Sequence, residues 1–95
     1  MLTQDQINII ITTLKPHNPV MIGVFGSFAR GDNTINSDID ILYQFDSKYS
    51  LFDLADIKFE LEKKLNRDVD LVELTAIHPL MRDRILSDTK IVYEQ

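Results

Sequence analysis

The segment FGSFARGDNTINSDIDI, from Phe25 to Ile41, constrains the fold more than any other part of the chain. It joins two strand-like runs, VMIGVF and DIDILYQF, through a turn rich in glycine and serine. Side chains alternate along a strand, so Ile39 and Ile41 face one way while Asp38 and Asp40 face the other. An unpaired charge on a covered sheet face is costly. The segment therefore predicts two strands, and it indicates that Asp38 and Asp40 have a functional role.

Caps and apolar periodicity predict the remaining elements. Thr3 with Gln6 has the form of a capping box, and Ser50 with Asp53 begins a second amphipathic helix. The predicted order is helix 4–15, strand 20–25, strand 38–45, helix 51–65, strand 68–74, a short helix from Pro79, and an edge strand 90–94. This order predicts an α+β, two-layer fold with a small mixed sheet of about four strands and helices packed on one face.

Composition limits the number of domains and the class of partner. With 95 residues, 44% of them hydrophobic, the chain is expected to form a single domain, residues 1–95. The net charge of −5 and the scattered basic residues argue against a nucleic-acid partner. No apolar run is long enough to cross a membrane, and MLTQDQ does not resemble a leader. A chain without cysteine fits the reducing cytoplasm and excludes thiolate zinc sites.

The glycine-serine turn has the features of an anion site. Gly26 and Gly31 permit backbone conformations that other residues avoid, and Gly26 lets a ligand approach the main chain closely. Ser27 supplies a hydroxyl, and a helical turn over SFAR would point free N–H groups at the same place. These residues predict a cradle for phosphate oxygens.

The acids beside this turn predict a metal site. Asp38 and Asp40 share one strand face with Cα atoms roughly 6 to 7 Å apart, so they repel each other unless a cation lies between them. Hard oxygen ligands select Mg²⁺, or Mn²⁺ in its place. Asp70, inside a predicted strand, is the expected third acid of a two-metal site, and Asp68 is a weaker choice.

GSFARG followed by SDID resembles the signature of the nucleotidyltransferase superfamily typified by DNA polymerase β. The short chain is similar to the minimal nucleotidyltransferase (MNT) branch, known from prokaryotic antitoxins paired with HEPN-domain toxins. The resemblance implies the nucleotidyltransferase fold. It also implies a reaction with ATP as substrate that moves AMP onto a partner, plausibly onto a tyrosine hydroxyl of a HEPN toxin in a hetero-oligomer with this chain.

The resemblance also assigns the site residues. Gly26 and Ser27 would hold the triphosphate, and Asp38, Asp40 and Asp70 would be catalytic and bind two Mg²⁺ ions. Arg30 matches the motif arginine and is assigned to the nucleotide, although it could instead brace the turn. Ser37, directly before the acids, is assigned to the same nucleotide site.

Other interpretations remain open at this stage. The chain could be a non-catalytic antitoxin that covers its toxin, or it could modify a small molecule as an oligomer. Tyr49, Phe52 and Phe59 fit either core filling or a partner surface. Arg67 is expected on a solvated helix face, and His78 in a loop.

Overall fold

A computed structural model describes the whole chain, Met1–Gln95. A four-stranded sheet in the order β3-β2-β1-β4 forms its centre; β2 and β3 are parallel, and the other pairs are antiparallel. The elements are α1 (Gln4–Leu14), β1 (Pro19–Phe25), α2 (Ser27–Arg30), β2 (Ile39–Phe45), α3 (Leu51–Leu65), β3 (Val69–Glu73), α4 (Pro79–Asp88) and β4 (Lys90–Glu94). The predicted α+β class, with a mixed sheet of four strands, is confirmed.

The two long helices begin where their capping residues predict. At α1 the Thr3 hydroxyl accepts from the Gln6 amide at 3.2 Å, and the Gln6 side chain accepts from the Thr3 amide at 2.8 Å. Ser50 and Asp53 form the same reciprocal pair at α3. Such a box supplies acceptors to amides that lack a partner within the helix. No helix has the length and apolar composition needed to cross a membrane.

The main core lies between one sheet face and the helices α1 and α3. The predicted inner stripes supply it, since Ile10 and Leu14 of α1 and Ile57, Leu61 and Leu65 of α3 are buried. From the sheet, alternate side chains point into the same cluster, as the period of two requires: Ile22, Val24, Ile39, Ile41 and Val69.

The last helix departs from the expected packing on one face. Ile85 of α4 packs with Met21, Leu42 and Ile77 in a smaller cluster on the opposite sheet face. The physical reason is that Met21 and Leu42 point away from the main core and would otherwise expose apolar surface. The sheet is therefore covered on both sides, with α4 on the side of the acidic residues.

The outer face of α3 carries large apolar side chains. Phe52 is 84% exposed and Phe59 is 69% exposed, with Leu51 beside them at 84%. Tyr49 instead packs between the rings of Phe45 and His17 and donates to the His17 carbonyl. Core filling thus explains Tyr49 but not the two phenylalanines.

Candidate active site

The register of β2 and β3 brings the predicted acids together. Asp40 and Asp70 are directly opposite residues of the parallel pair, so both side chains leave the same face of the sheet. Neighbouring strands lie about 4.8 Å apart. Asp38 lies just before β2, which begins at Ile39 rather than at Asp38 as expected. The three carboxyl groups therefore lie at one end of the sheet, near enough for the charges of Asp38 and Asp70 to act on Asp40.

The charges of Asp38 and Asp70 repel that of Asp40. None of the three carboxylates accepts a hydrogen bond or forms an ion pair within the chain. Partial burial raises the pKa of Asp40, and the negative charges of Asp70 and Asp38 raise it further; Arg30 opposes this effect. No group of three or more His, Cys, Asp or Glu side chains has the arrangement of a preformed metal site.

The side chain of Asp40 leaves no room for a side chain at residue 26, so this position requires Gly26. The glycine has φ +73° and ψ −152°, a conformation essentially limited to glycine. A Cβ added here would collide with Asp40 Oδ2 and lie 3.1 Å from Asp40 Cγ. The glycine of the turn and the second acid of the Asp-x-Asp motif are thus in direct contact, although β1 and β2 are separated by a loop.

Ser27 begins the short helix α2 directly after this contact. Its side chain is half-buried and makes no hydrogen bond to another residue of the chain. The Gly26 carbonyl accepts the amides of Ala29 and Arg30, at 3.1 and 3.0 Å, which fixes the first turn of α2. Ser27 therefore directly follows the glycine that contacts Asp40, and no residue of the chain uses the hydrogen-bonding capacity of its hydroxyl.

Arg30 is held by two carboxylates. Its Nε donates to Asp32 Oδ2 at 3.2 Å, and Nη1 donates to Asp88 Oδ2 at 2.8 Å. The hydrogen bond that Arg30 donates to Asp32 is the largest cause that raises the pKa of Arg30. Asp88 Oδ2 also accepts the Gly26 amide at 3.1 Å. Arg30 thus braces the turn; its contact with a nucleotide stays a prediction.

Ser37 closes the turn that leads into the acids. Its hydroxyl accepts the Thr34 amide at 2.8 Å, and its carbonyl accepts from Arg67. The contacts of Ser37 therefore set the approach of the chain to Asp38. Its assignment to the nucleotide stays a prediction.

Two residues that support the site were missed by sequence reasoning. The expectation for Arg67 is wrong, since its Nη1 lies within 3.4, 3.0 and 3.1 Å of the carbonyls of Thr34, Ile35 and Ser37. Its guanidinium also lies 5.1 Å from the centre of the Phe28 ring. Asp88, at the end of α4, was not singled out. Neither residue belongs to a local motif, so only the folded chain identifies them.

A groove opens between the end of β1 and α4. Its volume is about 550 Å³, which is in the range of small-molecule sites. Phe25, the partner of Asp40 across β1 and β2, lines it together with Arg30 and Arg84. The groove thus joins an apolar wall to two arginines, and Phe25 connects it to Asp40 across the strand pair.

Comparison with known proteins finds a family model and named relatives that match the chain. Residues 8–95 match the family described as "Polymerase beta, Nucleotidyltransferase". A relative from Methanocaldococcus jannaschii, named "Putative protein adenylyltransferase", is 44% identical over 83% of this chain and 85% of its own. The protein adenylyltransferase MntA of Thermococcus cleftensis is 34% identical over 98% of this chain and 97% of its own.

Solved structures have the same fold. A toxin-antitoxin crystal structure with AMP-PNP superposes with a TM-score of 0.85 at 26% identity, over 94% of this chain and 73% of the other. The complex of a tri-AMPylated Shewanella oneidensis HEPN toxin with its MNT antitoxin gives a TM-score of 0.80 at 23% identity, over 99% of this chain and 74% of the other.

Proposed function

Because the chain belongs to the polymerase beta nucleotidyltransferase family, we propose that it is a Mg²⁺-dependent protein adenylyltransferase formed as one catalytic domain. It transfers AMP from ATP to a hydroxyl, in our proposal a tyrosine, of a partner HEPN toxin in the cytoplasm, and so acts as the antitoxin. The names of the relatives and the toxin-antitoxin complexes support this assignment. The observation that carries it is the alignment of Asp40 with Asp70 beside Gly26 and Ser27.

The residues at this end of the sheet fit a magnesium nucleotide. The carboxylates of Asp38, Asp40 and Asp70 are the hard oxygen ligands that Mg²⁺ prefers, and their mutual repulsion would be relieved by bound cations. We assign two Mg²⁺ ions to them, with Mn²⁺ as a substitute. Such ions would neutralise charge on the attacking and leaving oxygens. The uncommitted hydroxyl of Ser27 and the open face of Gly26 would receive the triphosphate.

The reaction requires one bond to form and one to break. The toxin hydroxyl oxygen forms a bond to the α-phosphorus of ATP, and the bond from that phosphorus to the β-phosphate bridging oxygen breaks. Asp70, which is exposed beside Asp40, accepts the hydroxyl proton. Pyrophosphate leaves with the electron pair of the broken bond, and the product is AMP joined to the toxin through a phosphodiester.

The direct test is the intact mass of the cognate HEPN toxin after incubation with this protein, ATP and Mg²⁺. The toxin should gain the mass of one or more AMP groups, and tandem mass spectrometry should locate them on tyrosine. Asp38→Asn with Asp40→Asn should abolish the gain while the protein still folds. The matched control, Asp46→Asn with Asp83→Asn, removes two exposed charges that make no side-chain bond and lie outside the face of Phe52 and Phe59, and it should keep the activity.

A second candidate function is a non-catalytic antitoxin that covers its toxin. The exposed Phe52 and Phe59 of α3 favour a docking role, because large outward apolar side chains are typical of partner surfaces. In this case the double Asn variant would still protect cells from the toxin, and wild-type protein would add no mass. If the toxin gains mass with the wild type but not with the variant, and the variant no longer protects cells, the results support the enzymatic function.

A further inference from the structure

We infer that Asp88 is a positioning residue for the triphosphate, and this inference rests on the proposed function. One oxygen, Oδ2, accepts both the Gly26 amide and Arg30 Nη1, at 3.1 and 2.8 Å. A carboxylate at the end of α4 thereby connects the backbone of the glycine-serine turn to the only arginine of the motif GSFARG. Asp88 is half-buried, so these bonds are partly shielded from water.

The geometry leaves Arg30 able to bind phosphate. A guanidinium carries five N–H donors in a fixed plane. Asp32 takes the donor on Nε and Asp88 takes one on Nη1, while Nη2 makes no hydrogen bond within the chain. Two carboxylates thus fix the plane of the guanidinium without using its last nitrogen. A side chain held in this way loses little conformational entropy when it binds phosphate.

The position of Asp88 is unfavourable apart from this role. A negative charge at the C-terminal end of a helix opposes the helix dipole. Since the helix dipole would favour a neutral residue at this position, the contacts of Asp88 with the Gly26 amide and with Arg30 explain why an acid stands here.

The experiment compares ATP binding and turnover in wild type, Asp88→Ala, Asp88→Asn and Asp88→Glu, with Asp83→Ala as control. Asp83 is an exposed acid of the same helix without side-chain bonds. We expect Asp88→Ala to raise the Kd and KM for ATP with Mg²⁺ by about tenfold, the size of one lost charge-assisted hydrogen bond. The KM for the toxin should stay unchanged, kcat should fall less than KM rises, and Asp88→Glu should recover part of the loss.

Coupling to Arg30 separates positioning from general stabilisation. In an Arg30→Ala background, Asp88→Ala should change the Kd for ATP by less than threefold, because the positioned group is gone. Equal effects in both backgrounds would overturn the inference. Unchanged or tighter ATP binding in Asp88→Ala would also overturn the inference. Tighter binding would mean that the Asp88 carboxylate competes with phosphate for Arg30. Wild-type protein that fails to bind ATP would instead refute the proposed function itself, and this inference with it.

Discussion

Gly26→Ala tests the contact between the glycine-serine turn and the acids. The backbone at φ +73° and ψ −152° costs a non-glycine residue about 1 to 3 kcal/mol. Alanine recovers about 0.4 to 1 kcal/mol by restricting the unfolded chain. The free energy of unfolding should therefore fall by roughly 0 to 2.6 kcal/mol, equivalent to a Tm lower by about 4 to 8 °C per kcal/mol in a domain of this size.

The added methyl would also displace a carboxylate that we propose as a Mg²⁺ ligand. It would occupy the position of Asp40 Oδ2, so the carboxylate must move by an ångström or more. A misplacement of this size costs about a hundredfold in rate. The rate of AMP transfer to the toxin, measured by intact mass over time, should therefore fall about a hundredfold at a temperature where the variant is folded. The loss of stability alone would not lower the rate at that temperature.

Gly31→Ala is the matched control. Gly31 also has positive φ, +82° with ψ 13°, where alanine costs about 1 to 2 kcal/mol. Its added Cβ would meet only Met1 Cγ at 3.5 Å, an ordinary contact. Thermal unfolding by circular dichroism should show a loss in Gly31→Ala that is no larger than the loss in Gly26→Ala, with transfer retained in Gly31→Ala alone. Equal transfer rates in the two variants would refute the reasoning.

Three further predictions follow from the site and its supports. Because the folded-state pKa of Asp40 is raised, its ionisation opposes folding, and stability falls as pH rises from the usual carboxyl pKa through the raised one. Asp40→Asn should therefore raise the Tm at neutral pH, and the difference from wild type should vanish in acid. Mg²⁺ with ATP should raise the Tm of wild type only. An Asp40→Asn variant with the Tm of wild type at neutral pH would contradict this. Arg67→Ala removes hydrogen bonds to three loop carbonyls and should lower stability in urea unfolding by about 1 to 3 kcal/mol, as should Arg67→Lys, since an ammonium cannot reproduce the planar fork. His78→Ala removes the Nδ1 acceptor of the Leu80 amide at the start of α4 and should cost about 1 kcal/mol in the same assay, whereas an unchanged midpoint would show that this cap contributes nothing.

Local signals were sufficient for much of the fold. The start of α1 follows from Thr3 and Gln6, and that of α3 from Ser50 and Asp53, because a cap acts within one turn of the chain. The end of α3 at Asn66 was expected too, and Asn66 adopts the left-handed conformation there. Boundaries differed where no strong signal exists: α1 ends at Leu14, with a 3₁₀ turn at Lys15–His17 after it.

The placement of α4 and the role of His78 were outside local reasoning. The helix itself was predicted. It packs on the opposite sheet face because it covers apolar side chains of β1 and β2, and the sequence does not show which element covers them. His78 was expected in a loop, and it instead caps α4 through Nδ1. Histidine is an uncommon cap, so its residue type carries no such signal.

By itself, the sequence determined which groups the candidate site contains: the carboxylates that we propose as metal ligands, a serine hydroxyl, and a glycine where a side chain would obstruct. Short-range rules determine these features, since alternation and turn preferences depend on adjacent residues. Only the tertiary structure decided that β2 lies parallel to β3, which places Asp70 opposite Asp40, and that α4 returns Asp88 to the turn. Strand pairing and helix docking are set by burial of the whole apolar surface, which couples residues far apart in the chain and leaves no local mark on any of them.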